Sequence, residues 1–142
     1  MRVIAVEKLN EYFDTMKSFN QETTLCGKST VRNMEKSRRL GYSIEMYFIY
    51  VDSVQLAKER IRFRVANGGH GIPDEDVERR YIKSHRKISE VIILCDKIDL
   101  FDNSKQFEKV ASIRKGGATF VSSDAPLWTK GILNINPLRI SE

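Results

Sequence analysis

Cysteine is scarce in this sequence, long hydrophobic runs are absent, and histidine occurs only twice. Cys26 and Cys95 stand far apart with no ligand-like spacing, which argues against a zinc site and favours a reducing compartment. His70 falls in a glycine-rich joint and His85 in a basic helical stretch. Neither has a second ligand candidate at useful spacing, so loop and surface positions are expected and no metal site is read. The longest unbroken apolar run, Met46 to Val51, is far too short to cross a bilayer, and no signal-peptide pattern opens the chain. A soluble cytoplasmic protein is expected, with no membrane partner.

What is present fits an ordinary globular chain. At 142 residues it fits one domain, 1–142, and can bury a real core. With 41% hydrophobic and 30% charged residues it is not a disordered polymer. The net charge of +5 points to an anionic partner, and nucleotide, nucleotide-sugar and nucleic acid all qualify. Nucleic acid is the least expected, because no recognised module is present and the aromatics read as core rather than stacking platforms.

Arg64 to Tyr81, RVANGGHGIPDEDVERRY, is the most informative stretch. A helix bearing Arg60, Arg62 and Arg64 runs into Gly68-Gly69, and a second helix starts at Pro73 and bears Arg79 and Arg80. Glycines supply hinge freedom, and proline and acidic residues suit a helix start. Two helices with arginines on both sides of a joint, over 60–87, have the physics of a lid that folds over a polyanion. An ordinary helical hairpin with solvated basic faces has the same pattern.

In chain order, Met1 to Lys17 reads as an amphipathic helix with Ile4, Leu9, Tyr12, Phe13 and Met16 near one face. Ser18 to Thr24 is a short strand candidate. Gly27-Lys28-Ser29 matches the end of a phosphate-binding loop, but the position of that motif's first glycine is Glu22, whose carboxylate would repel phosphate. Ser29 to Leu40 reads as a helix with Val31, Met34 and Leu40 inward and Gly41 as its stop. Tyr42 to Asp52 is the strongest strand, and its unbroken apolar run suits a parallel strand covered on both faces. Asp52 either caps the next helix, Val54 to Ala66, or faces a ligand. After the lid come a helix from Asp74, an apolar stretch Val91 to Leu94 that looks buried, and a strand Lys97 to Asn103. Phe107 to Ile113 and Ala118 to Val121 form an antiparallel β ending across Lys115-Gly116-Gly117. A short helix, Asp124 to Leu133, then brings Leu127 and Trp128 to the core, and 134–142 is an uninformative tail.

This alternation predicts an α/β fold with a mostly parallel sheet flanked by helices. Right-handed crossovers would bring the loops after Thr24, Asp52 and Asn103 to one sheet edge, so that Glu22, Asp52 and Asp102 meet near the arginines. Carboxylates beside an arginine clamp are what Mg-assisted phosphoryl transfer requires.

The elements QETTLCGKS, YFIYVDSVQLAKERIRFRV, GGHGIPDEDVERRY and LFDNS, in this order, resemble the zeta-toxin and related small P-loop kinases. The resemblance spans roughly Val6 to Leu133. It implies a P-loop-kinase-like fold and an ATP-dependent phosphotransferase, with ATP and Mg as cofactors; toxins of the group phosphorylate UDP-N-acetylglucosamine. Glu22, Arg64, Arg79 and Arg80 become the candidate catalytic residues, the arginines as lid contacts to phosphate. Thr24, Lys28, Ser29, Asp52 and Asn103 become candidate substrate or nucleotide contacts, Asn103 near the base. Family members open with a strand, a Walker A loop and its helix, and an acidic residue that deprotonates the sugar hydroxyl. The resemblance begins beyond these, so roughly 30 or more residues of a βα unit are expected to be missing. The absent strand would lie between Ser18–Thr24 and Met46–Val51, so direct pairing of those strands, self-association or a partner chain is expected to fill the slot. The resemblance therefore implies either a truncated kinase, weak or inactive alone, or a non-catalytic remnant that binds a phosphorylated ligand, a paralogue or an antitoxin.

Overall fold

Two basic helices in this protein end in the same way, and their ends set the shape of the molecule. The computed structural model describes residues 2–115 and 117–135, with side chains over 6–115 and 117–133. Helix α1 is Arg2–Thr15 and helix α2 is Lys28–Arg39. At the end of α2, Gly41 takes a φ of 85° and donates to the Arg38 carbonyl, while Tyr42 N–H reaches back to Ser37. Strand β1, Glu45–Tyr50, leads into α3, Val54–Ala66. At the end of α3, Gly68 takes a φ of 87° and donates to Val65, while Gly69 N–H donates to Arg64. Each pair of bonds closes a Schellman stop, which needs a residue in the left-handed region. The Gly68-Gly69 joint is thus a hydrogen-bonded turn, and hinge freedom is not what places glycine there.

Helix α4, Asp74–Val91, returns antiparallel to α3, and a single 3₁₀ turn, Ile92–Leu94, follows it. Lys58 pairs with Glu78 at 3.1 Å and Arg62 pairs with Asp74, so two cross-helix ion pairs staple the hairpin. A Cβ on Gly69 would sit 2.5 Å from Arg64 Cγ and 2.9 Å from the Arg64 carbonyl oxygen. Gly41 has open space, so alanine there meets only backbone strain. Gly41→Ala is expected to cost about 1 kcal/mol and Gly69→Ala about 2 kcal/mol. Chemical denaturation of the two variants, with equal losses, would show that the tight approach to Arg64 is not constraining.

Strand β2 is Lys97–Asp102, β3 is Glu108–Arg114, β4 is Gly117–Val121, and helix α5 is Leu127–Ile135. The sheet order is β1-β2-β3-β4, with β1 parallel to β2 and the other two pairs antiparallel. The α/β class stands, but the sheet is mixed and only one of its pairs is parallel. The last two strands form the antiparallel ending that the sequence predicts. No strand forms at Ser18 to Thr24, and nothing among the described residues pairs with β1 on its outer side. An extended segment needs a neighbouring strand to satisfy its backbone, and this one has none.

The core lies on one face of the sheet. Phe48 and Tyr50 of β1, Ile98 and Leu100 of β2, and Ala111 and Ile113 of β3 pack with Ile88, Val91, Trp128 and Ile132 from the helices. Each fully buried aliphatic side chain here contributes about 1.5–3 kcal/mol. The other face of β1 is open: Tyr47 is 59% and Ile49 54% exposed. The strand therefore alternates instead of being covered on both sides. Four further expected core residues, Met16, Leu40, Ile93 and Leu127, are exposed, because each lies one position off its element's inward stripe or beyond its end.

Candidate functional site

The carboxyl ends of β1 and β2 meet as the topology requires. Asn103 N–H donates to the Tyr50 carbonyl at 2.9 Å, and Asp52 N–H to Ser104 Oγ at 2.8 Å. Arg60 Nη2 donates to the Ser104 carbonyl at 2.8 Å, fixing α3 to this loop. Asp102 is buried, and both of its oxygens are occupied: Ser104 N–H and Trp128 Nε1 each donate at 2.8 Å. It therefore anchors the loop rather than facing a ligand. Asp52 is exposed beside it, and Ser53, not Asp52, caps α3 by accepting from Leu56 N–H. The structure brings Asp52, Asp102 and Asn103 together. Glu22 is exposed on the segment before α2, and makes no hydrogen bond or ion pair among the described residues.

That segment is organised by its own side chains. Thr23 and Thr30 share a hydroxyl hydrogen bond at 3.0 Å, and Thr23 Oγ1 also accepts from Leu25 N–H. Leu25 is buried with a φ of 57°, while Thr24 is exposed and its carbonyl accepts from the Cys26 thiol. The Cys26 thiol also approaches the Arg80 carbonyl at 3.4 Å. This contact puts the start of α2 against the middle of α4. Gly27 offers no side-chain cap there, so Lys28 and Ser29 open the helix with unfilled backbone donors and a positive dipole end.

The lid arginines differ from one another. Arg79 pairs with Asp76 at 2.6 Å, whereas Arg64 and Arg80 are exposed and have no acidic partner among the described residues. Arg79 also lines a shallow trough with Glu75, Glu78, Ile82, Lys83 and Arg86, all on α4. Lined from one helix with charges of both signs, the trough is not an enclosed site.

Between the two ends sits an aromatic cluster that periodicity alone could have flagged. Val77, Tyr81, Ile88 and Val91 repeat at helical spacing along α4, and His85 follows Tyr81 by one turn. Tyr81 Oη donates to the Val51 carbonyl at 3.0 Å. The rings of Tyr81 and His85 each lie 4.7 Å from that of Tyr50, with Trp128 at 5.0 Å. His85 is therefore an inward residue, not the surface histidine its basic neighbours predict. Burial pushes the His85 pKa down, and its Nδ1 has no partner among the described residues. Burial pushes the phenols of Tyr50 and Tyr81 up, with Asp52 and Asp102 adding to the rise at Tyr81. The phenols stay protonated and the imidazole neutral near pH 7, so the cluster carries no charge there. The Cys95 thiol, pushed up to about 12 chiefly by burial, is likewise inert.

ATP and Mg fit these residues poorly. A triphosphate cradle needs successive backbone N–H groups turned inward around glycines, but Gly27 is the lone glycine of 22–29, and buried Leu25 takes the left-handed position. No group of three or more acidic, histidine or cysteine side chains suited to a metal occurs among the described residues. No described helix is long and apolar enough to cross a membrane.

The fold and site thus define an α/β domain with one covered sheet face and an arginine-bearing helical hairpin. No family model matches the chain. No solved structure matches it. A curated protein of Haemophilus influenzae, described as an uncharacterized protein, is 33% identical over 63 residues. The match covers 44% of this chain and 45% of that protein, so the chain spans less than half the length of this relative.

Proposed function

We propose that this protein binds a phosphate-bearing nucleotide or nucleotide-sugar between the start of α2 and the α3–α4 hairpin, as the acceptor and lid portion of a zeta-toxin-like phosphotransferase. The observation that carries the reading is the contact of Cys26 with the Arg80 backbone carbonyl, which brings an uncapped helix start against the helix that bears Arg80, an arginine with no acidic partner among the described residues. Lys28, Ser29 and the α2 amides receive phosphate oxygens, Arg80 adds a planar fork, and Arg64 and Arg79 lie on the same hairpin. Asp52 and Asn103, at the end of the parallel pair, face the nucleoside or sugar, with Thr24 and Glu22 on the opposing segment.

A second reading, binding without transfer, is favoured by the poor fit to a triphosphate. Titration calorimetry tests the site that both readings share. UDP-N-acetylglucosamine is expected to bind, and Mg-ATP to give no heat with the chain alone. Arg80→Ala and Lys28→Ala are each expected to weaken sugar-nucleotide binding roughly tenfold, about 1.4 kcal/mol, while Arg39→Ala at the far end of α2 changes nothing. Unchanged affinity in Arg80→Ala would remove this site. Heat with Mg-ATP would return the chain to the full kinase reading.

A further inference from the structure

Positive charge in this chain is concentrated on two helices. Residues 28–39 and 79–87 hold ten of the 24 lysines and arginines and one acid, Glu35, whereas the rest of the chain has fourteen cations and eighteen acids. Helix α2 packs on α4 and on the 3₁₀ turn. Its start touches the Arg80 carbonyl through Cys26, and near its end Arg38 reaches Asp96, past the end of α4. The two basic segments therefore lie side by side and run in the same direction. Chain order separates them, and packing joins them.

Each helix turns a row of cations to solvent. In α2, Lys28, Arg32 and Arg39 lie opposite the buried Ser37. In α4, Lys83 and Arg86 lie on the side away from the buried Ile88 and Val91, with Arg80 at the flank where Cys26 meets the helix. All six are exposed and have no acidic partner among the described residues. Most acids bordering this face are taken: Asp76 pairs with Arg79, Glu78 with Lys58, Glu90 with Lys87, and Asp96 with Arg38 and Lys115. Glu35 lies within the α2 row, and Glu22 and Glu75 stand just before the two rows. Glu7, Glu11 and Asp14 belong to α1, on the other flank of α2, where Lys36 lies over the Phe13 ring.

The make-up of the face selects its occupant. A membrane-surface helix keeps an apolar side to bury among lipids, but Val31, Met34, Ile88 and Val91 are already spent on the core. Protein interfaces are built around apolar anchors, and among the described residues α2 and α4 expose one large apolar side chain, Ile82. Single-stranded nucleic acid calls for aromatic platforms, and Tyr81 and His85 point inward against Tyr50. A duplex needs neither. The cation rows follow packed helices, whose axes are about 8–10 Å apart, and Lys28 to Arg39 extends over about 16 Å. Rows at that separation straddle the minor groove of B-form DNA, about 6 Å wide, whereas the minor groove of duplex RNA is wide and shallow.

We propose that α2 and α4 together form a binding face for double-stranded DNA, held by phosphate contacts on both sides of the minor groove. Lysine and arginine meet phosphate oxygens as donors, so the face fixes position on the duplex and its affinity depends on charge, not on base sequence. This face does not rest on the sugar-nucleotide reading, although Lys28 and Arg80 serve both. Arg32, Arg39, Lys83 and Arg86 belong to the DNA face alone.

The test is fluorescence anisotropy of the full chain with a labelled DNA duplex of about two helical turns, across about 50 to 200 mM salt. Six phosphate contacts give an expected slope of log affinity against log salt of about −5. Replacing Arg32, Arg39, Lys83 and Arg86 together by alanine should lower affinity more than about tenfold and bring the slope to about −2. The control replaces four exposed lysines elsewhere, Lys17, Lys105, Lys109 and Lys130, by alanine. It has the same net charge and should bind the duplex as the parent does. If circular dichroism shows that the first variant has lost its fold, Arg39→Ala and Lys83→Ala singly should each reduce the slope by about 1. No duplex binding at about 50 mM salt, or equal losses in the two quadruple variants, would overturn the proposal. So would tighter binding to an RNA duplex, to single-stranded DNA or to phosphatidylserine vesicles than to the DNA duplex.

Discussion

Trp128→Phe is expected to lower stability by about 2–3 kcal/mol, and Trp128→Ala by about 4–5 kcal/mol. The indole N–H is one of two donors to the buried Asp102 carboxylate, which phenylalanine would leave half satisfied. The ring also fills space against Phe48 and Tyr50, so alanine adds a cavity. Against a total of roughly 5–15 kcal/mol for a domain, the alanine variant is near the limit of folding. Trp128 is the sole tryptophan, so far-UV circular dichroism in urea is the proper readout. A double-mutant cycle with Asp102→Asn isolates the hydrogen bond. A loss below about 1 kcal/mol with no coupling would mean that Asp102 does not depend on the indole.

Asp96 supplies the second large effect, at the other end of the sheet. Its carboxylate accepts from Arg38 at 3.1 Å, Lys115 at 2.9 Å and Ile44 N–H at 2.8 Å, tying α2, the start of β1 and the β3–β4 turn together. The Lys115 and Ile44 hydrogen bonds, with the nearby positive charges, hold its pKa at about 2. A carboxyl with a folded value below its unfolded value stabilises fully above the unfolded one, near 4, and loses that contribution as pH falls through about 2. Solvent screens the exposed Lys115 and part-exposed Arg38 partners, so the contribution at neutral pH is about 1 kcal/mol. Asp96→Asn should show that loss at pH 7 and converge with the parent near pH 2. Parallel stability curves across that window would rule out the assignment. His85 adds to the same trend: its lowered value means that acidification below its ordinary range also favours the unfolded chain.

Legibility in the sequence followed locality. Helix α3 begins and ends at the residues its composition predicts, and Gly41 and Gly68 mark helix stops, because caps and Schellman turns are decided within a few residues. The antiparallel ending was legible for the same reason. Asp52, Asp102 and Asn103 could be placed together because parallel strands bring their carboxyl ends to one side. The strand at Ser18 to Thr24 failed to form because strand formation needs a neighbour that local pattern cannot supply.

Composition, helix punctuation and the order of strands and helices were determined by this sequence alone, since each rests on backbone geometry or on side chains a turn apart. The tertiary structure alone decided which carboxylate is spent on structure, which arginines lack acidic partners among the described residues, and which side of β1 faces water. Those outcomes depend on partners 26 to 54 residues away, as in the Trp128–Asp102 and Cys26–Arg80 contacts, and only packing brings such residues together.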